Sequence, residues 1–328
     1  MNILVRMPNW LGDAVMATPA LNNLKKHFKD AQFVIIASGA VCAMLEDDPS
    51  LIVIEDESKK SKNRIANIFR QAKAINARFD SFEYAFIFTN SIATTLMSKR
   101  INTKYRVGIK AGLRNIFLTH KIEVDKEAHQ AIIYNQIINK ALQTSYPTKK
   151  TSLFVNKIAK NDKKRLGLNA GASYGTAKRW DADRFAKVAL SLKDEYEIFI
   201  LGAPNEADIA RTIETIFKEN AITNYQNLVG KTSLKELLST ISTLDLFITN
   251  DSGPMHIAGA FDVPTVAIFG PTKHHQTYQW GNPRFKLVRK EIECAPCMKR
   301  DCPLKHHECM KLVEVEDVID AVKKIVKL

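Results

Sequence analysis

The sequence predicts an α/β protein of two tandem doubly wound domains, each a parallel sheet with helices on both faces. Three observations predict it. Short apolar runs alternate with helical patterns along the chain, as in βα units. The alternation is interrupted by a polar, lysine-rich stretch near the middle and then resumes. The 328 residues suit two domains, each long enough for its own core.

In the first half, residues 3–7 (ILVRM) read as a buried strand. Residues 13–28 read as a helical region in which Pro19 fits a break or a fresh first turn. Residues 33–37, 51–55, 84–88 and 105–109 are further strands, with helical patterns at 61–78, 91–100 and 127–142. The polar run 143–150 and the basic run 156–165 bracket the linker, which sets the domains as 1–155 and 156–328. In the second half, 166–169, 197–201 (EIFIL), 227–229, 244–249 (LDLFIT) and 265–269 are strands. Helices are expected over 181–192, 204–218, 234–242 and 253–261, and a Cys/His-rich segment precedes a final amphipathic helix at 315–326. Ligands of open sheets sit beyond the carboxyl ends of the strands, so the expected site is a cleft between the domains.

Hydrophobic residues make up 45% and charged residues 25% of the chain, which excludes disordered and fibrous classes. No apolar run approaches the ~18–20 residues that span a bilayer. The start, MNILVRMPNW, lacks the apolar core and cleavage site of a signal peptide. A cytoplasmic protein is expected, its five cysteines thiols or metal ligands. The net charge of +13 is uneven: residues 1–160 hold 24 Lys/Arg against 13 Asp/Glu, the remainder 24 against 22. A basic first half suggests an anionic partner, whether nucleic acid, an acidic membrane face or a phosphorylated substrate. A solvated lysine surface is the plain alternative.

Three loops each follow a strand and open a helix. In 8–13 (PNWLGD), Gly12 allows an unusual backbone turn and Asp13 sits at a helix start. Asp13 is there either a helix cap or a carboxylate able to accept a proton, kept ionised by the helix N-terminus. In 169–180 (NAGASYGTAKRW), glycines let backbone N–H groups approach phosphate, and Lys178 adds a cation. It is not a P-loop. In 249–258 (TNDSGPMHIA), the N–H groups of Ser252 and Gly253 can hold a diphosphate. Asp251 can accept from sugar hydroxyls, and His256 can donate to phosphate or sugar.

Together these loops resemble the glycosyltransferase family 9 heptosyltransferases, which add heptose to the inner core of lipopolysaccharide. The match lies in RMPNWLGDAVMATPAL at 6–21, GASYGTAKRW at 171–180, NLVGKTSLKELL at 227–238 and NDSGPMHIAGAFDVPTVAIFGPT at 250–272. PNWLGD, KRW and the tail CAPCMKRDCPLKHHEC at 294–309 are similar to the type II subfamily. The resemblance implies the GT-B fold, two facing Rossmann-like domains with the acceptor in the first and ADP-L-glycero-β-D-manno-heptose in the second. It implies Asp13 as catalytic base, with Asn9, Trp10 and Gly12 on the acceptor side. Thr176 and Lys178 would bind donor phosphates, and Glu206 the ribose. Lys231 and Thr232 would lie near adenine. Asp251, Ser252, Gly253 and His256 would bind diphosphate and heptose. The implied acceptor is a phosphorylated glycolipid, heptosyl-Kdo2-lipid A, met peripherally at the cytoplasmic face of the inner membrane.

No DxD-like divalent site occurs in the three loops, so neither metal nor cofactor is expected. Cys294, Cys297, Cys302 and Cys309, with His306 and His307, have a spacing that suits structural zinc or simply buried thiols. Either way the segment is expected to lie away from the chemistry. The basic runs 59–64 and 99–114 are solvated faces, or contacts to acceptor phosphates and the anionic leaflet. Competing readings are a type I or III heptosyltransferase, another nucleotide-sugar transferase of this fold, or a nucleic-acid-binding module. Aromatic interleaving is sparse, so no nucleic-acid partner is expected.

Overall fold

A computed structural model describes residues 1–59, 63–155 and 162–326. The chain divides into two compact units, Met1–Phe154 and Val155–Leu328, beside the division expected after 155.

The first unit runs β1 (Asn2–Arg6), α1 (Leu11–Met16), α2 (Thr18–His27), β2 (Gln32–Ala37), α3 (Gly39–Leu45), β3 (Leu51–Glu55), α4 (Arg64–Arg78), β4 (Phe82–Ile87), α5 (Ile92–Arg100), β5 (Thr103–Ile109), β6 (His120–Ile122) and α6 (Gln130–Leu142). Every strand pairing is parallel, in the order β3-β2-β1-β4-β5-β6. Consecutive residues Ile3, Leu4 and Val5 are all fully buried, as a strand covered on both faces requires. Leu4, Val34, Ile36 and Ala85 of the sheet pack with Ile68, Ala72 and Ile75 of α4 and Met97 of α5.

The second unit runs β7 (Lys164–Asn169), α7 (Ala182–Leu190), β8 (Tyr196–Ile200), α8 (Ala207–Glu219), β9 (Tyr225–Asn227), α9 (Leu234–Ser242), β10 (Leu246–Asn250), α10 (Gly253–Ala260), β11 (Thr265–Ile268), α11 (His274–Thr277), β12 (Phe285–Val288), α12 (Glu308–Lys311) and α13 (Val315–Ile325). Its sheet is also parallel, in the order β12-β11-β10-β7-β8-β9. Counted from each unit's first strand, the two orders are the same. Phe185, Phe217 and Val322, from α7, α8 and α13, close its core over Ile198, Ile248 and Val266.

Pro19 is the second residue of α2, so the expected break is a new helix starting just after α1 ends. Several helices start where a side chain takes a free backbone N–H. Asn63 accepts from Ala66 at α4, His129 from Ala131 at α6, and Ser233 from Glu236 at α9. These caps place α4 and α6 later than the patterns beginning at 61 and 127. Among the described residues no helix is long and apolar enough to cross a membrane.

In a sheet of this order the neighbours of the first strand leave in opposite directions. A crevice opens at its carboxyl end, beside the fourth strand. In the first unit that point lies beyond β1 and β4; in the second, beyond β7 and β10. The three loops singled out above follow β1, β7 and β10.

Candidate functional site

In the first unit, a buried charge pair shapes the loop after β1. The Arg6 guanidinium, 1% exposed, lies 2.5 Å from Asp56 Oδ2. It also donates to Asn9 Oδ1 at 2.7 Å and to the Met7 carbonyl. Burial alone would raise the Asp56 pKa, yet the charge of Arg6 and two bonds from Ser58 hold it below the usual carboxylate range. Ser38 Oγ donates to the Asn9 carbonyl at 2.9 Å. The side chain of Asn9 is thus engaged in holding the loop.

Trp10, 56% exposed, occupies the cap position of α1 with no side-chain cap bond. Two expectations are corrected here. Asp13 is the third residue of α1 and not its cap, because Trp10 carries the extended backbone that precedes the helix. Gly12 lies inside the helix's first turn, so no unusual turn requires glycine there. Asp13 keeps its place in the acidic first turn, where the helix dipole favours the carboxylate. It faces α6: the buried Tyr134 phenol has its pKa raised by burial, and further by the charge of Asp13.

In the second unit, the loops after β7 and β10 meet. Lys178 Nζ stands 2.6 Å from Asp251 Oδ2, with side chains only 13% and 5% exposed. Thr272 Oγ1 donates to the same carboxylate oxygen at 2.6 Å. Asn169 Nδ2 donates to Ser252 Oγ at 3.1 Å, and Asn250 Nδ2 to the Ala170 carbonyl at 2.7 Å. Trp180 N donates to Asn250 Oδ1 at 3.1 Å. These bonds tie the Gly-rich loop to the start of α10, where Ser252 is the cap residue with extended backbone and Gly253 the first helical residue. His256 is buried within α10.

Glu206 is also buried, with Oε2 accepting from Ala203 N at 2.8 Å. A Cβ on Gly171 would lie 2.0 Å from the Glu206 carboxyl carbon, so any side chain there would displace the carboxylate that the loop now lies against. Gly230 N donates to the Gly202 carbonyl at 3.0 Å, which brings the loop carrying Lys231 and Thr232 beside the one carrying Glu206. Lys231 itself bonds the Asn227 carbonyl at 2.9 Å and is exposed. The second unit therefore assembles Lys178, Asp251, Ser252 and Gly253 at its crevice, with Glu206, Lys231 and Thr232 on adjoining loops.

Thr176 is placed differently. Its hydroxyl donates to Asp301 Oδ1 at 2.6 Å, a residue of the Cys-rich segment. That segment was expected away from the chemistry; it lies against the Gly-rich loop instead. Tyr174 Oη donates to the Met298 carbonyl at 2.8 Å, and Ala177 N to the Arg300 carbonyl at 2.9 Å. Asn169, Asn250, Thr272 and Asp301 were not singled out in the sequence. Only the two asparagines carried a signal, as polar residues ending buried strands.

The cysteines are free. Cys294, Cys297, Cys302 and Cys309 line one small apolar cavity with His306 and His307. Burial, then its three cysteine neighbours, push the Cys309 thiol up to about 11. Among the described residues no group of three or more His, Cys, Asp or Glu is arranged to hold a metal ion.

Of the basic run 59–64, Lys60, Ser61 and Lys62 lie outside the described residues. The run 99–114 is not one open face. Arg114 is 1% exposed and donates to Asn90 Oδ1, and Arg106 Nε donates to the Phe117 carbonyl. Lys104 and Lys110 pair with Glu83 and Glu123.

Residues 68–308 match the model of glycosyltransferase family 9 (heptosyltransferase). The chain is 41% identical to lipooligosaccharide heptosyltransferase 2 of Campylobacter jejuni subsp. jejuni serotype O:6, covering 99% of both chains. It is 26% identical to lipopolysaccharide heptosyltransferase 2 of Escherichia coli K12, over 83% of each. Its fold is similar to the solved structure of E. coli ADP-heptose lps heptosyltransferase II, with a TM-score of 0.83, 21% identity, and coverage of 99% of this chain and 98% of that one. The architecture is the GT-B type expected, built from two Rossmann-like units.

Proposed function

The chain belongs to glycosyltransferase family 9, and from that premise we propose that it moves heptose from ADP-heptose to heptosyl-Kdo2-lipid A with inversion. Heptosyl transfer in lipopolysaccharide core assembly rests on the 41% identity over nearly the whole length of both chains. The observation that carries the donor assignment is the Lys178–Asp251 pair beside the N-terminus of α10, at the crevice of the second unit. A nucleoside diphosphate needs fixed positive charge, and Lys178 with the free N–H groups of Ser252 and Gly253 supplies it. The Asp251 carboxylate and His256 serve the heptose and its diphosphate, Glu206 the ribose, and the Lys231–Thr232 loop the adenine. Thr176 contributes through the backbone of its turn.

The reaction requires a base for the acceptor hydroxyl as it attacks the anomeric carbon from the side opposite ADP. Asp13 fills that role, with Asn9 and Trp10 shaping the loop that presents it and Gly12 beside it in the helix. The proton passes to the Asp13 carboxylate, the C–O bond to ADP breaks, and Lys178 stabilises the leaving diphosphate.

The transfer needs no metal or other cofactor in this reading, because the diphosphate charge is met by Lys178 and the helix terminus. EDTA is therefore expected to leave the initial rate intact. A large loss restored by Mg²⁺ or Mn²⁺ would contradict it, and one restored only by Zn²⁺ would shift attention to the cysteines.

The lipid end of the acceptor is assigned to the carboxyl edge of the first sheet, at the cytoplasmic face of the inner membrane. Trp10, Ile92, Leu113 and Ile116 follow β1, β4 and β5 and are 56%, 50%, 75% and 73% exposed. Segments 88–100 and 110–118 hold no acidic residue. Exposed apolar side chains on segments without acidic residues suit an anionic leaflet. The double variant Leu113→Asp/Ile116→Asp should lose cosedimentation with anionic phospholipid vesicles and keep its ADP affinity. Undiminished sedimentation would remove this edge from the membrane contact.

The acceptor is tested by offering ADP-heptose with heptosyl-Kdo2-lipid A or with Kdo2-lipid A and weighing the products. Heptose added to the first supports the proposal. Addition to the second alone would make this a first-heptose transferase.

A further inference from the structure

We infer that the Cys-rich segment is a positioning element of the donor site, with Asp301 and the Arg300 carbonyl holding the turn that carries Lys178. The inference rests on the donor assignment proposed above. Four consecutive residues before Lys178 touch this segment. Tyr174 Oη donates to the Met298 carbonyl, and a Cβ on Gly175 would lie 2.2 Å from the Arg300 carbonyl oxygen. Thr176 Oγ1 donates to Asp301 Oδ1 at 2.6 Å. Ala177 N donates to the Arg300 carbonyl, while His307 Nε2 lies 2.9 Å from the Ala177 carbonyl.

The same segment reaches the other partner of Asp251. Met298 N donates to the Pro271 carbonyl at 2.8 Å, next to Thr272. A Cβ on Gly270 would meet Met310 Sδ at 2.4 Å and Cys309 Sγ at 3.0 Å. Lys178 and Thr272 both hold the Asp251 carboxylate, and the turns that carry them lean on this one stretch of chain.

The chemistry of Thr176 follows. A hydroxyl has one proton, and here it goes to a carboxylate. A phosphate cannot take that proton while Asp301 holds it. The value of Thr176 to the donor lies in fixing the turn, and through it the reach of Lys178. Asp301 is thus a positioning residue. At Gly175 the segment's backbone leaves no room for a side chain.

The experiment measures ADP affinity by calorimetry and the donor KM and kcat in Asp301→Ala, Asp301→Glu, Gly175→Ala and Thr176→Val, with Lys178→Ala as control. Asp301→Ala should weaken ADP and raise the donor KM by about three- to tenfold, the worth of one exposed charge-assisted bond. The acceptor KM and the melting temperature should hold, and Asp301→Glu should recover most of the loss. Gly175→Ala should weaken ADP more, because a backbone carbonyl must give way. Thr176→Val added to Asp301→Ala should cost little further, as expected for two halves of one contact. Unchanged or tighter ADP binding in both Asp301→Ala and Gly175→Ala, with Lys178→Ala weakened, would overturn the positioning role alone. Unchanged binding in Lys178→Ala as well would overturn the donor assignment, and this inference with it.

Discussion

Asp13→Asn should lower kcat by about 10²–10⁴-fold, the usual worth of general-base catalysis. The variant keeps size and hydrogen bonding and loses only the proton-accepting charge. Asp13 is the third residue of α1, so the folding cost includes the loss of one charge near a helix N-terminus, about 0.3–1 kcal/mol. The melting temperature should fall only slightly. ADP affinity should hold, since the donor loops belong to the other unit. A kcat within a few-fold of wild type would reduce Asp13 to a dipole contact.

Lys178→Ala is expected to weaken ADP and donor by about 10–100-fold, as a phosphate loses a charge-assisted partner. It should also slow the chemical step by about 10²–10³-fold, the usual loss when one donor to a developing anion is removed. The free enzyme should suffer too. Asp251 is 5% exposed and would keep only Thr272 among the two side chains that now reach its Oδ2. Loss of thermal stability without loss of ADP affinity would mean that Lys178 serves only to neutralise Asp251.

Much of the architecture was readable because parallel strands covered on both faces are written as unbroken apolar runs. Residues 197–201 (EIFIL) and 3–7 (ILVRM) differ from β8 and β1 by a single residue at their ends. Two of the edge strands were not readable: β6 is three residues with two polar ones, and β12 (FKLV) has only Val288 buried. The helix α3 (GAVCAML) is too short and rich in small residues to show a periodic face. At the site, the loops that end strands announced themselves through glycine, proline and charge. Their partners did not. Asp301 reaches Thr176 across 125 positions of sequence, and nothing local marks it. The cysteine spacing drew attention to metal chemistry and away from the backbone carbonyls that make the segment's contacts. The capping position at α1 misled because Trp10, not an oxygen-bearing side chain, precedes the helix.

The proposed transfer is a single direct displacement in which Asp13 takes the acceptor proton and Lys178 stabilises the departing diphosphate. It is tested by the anomeric configuration of the heptose joined to heptosyl-Kdo2-lipid A, read by NMR from the β-configured ADP-heptose donor. An α-linked product formed with one ADP released per heptose is the predicted result. A β-linked product would require two displacements through a covalent or exchanged intermediate, and would contradict the role assigned to Asp13.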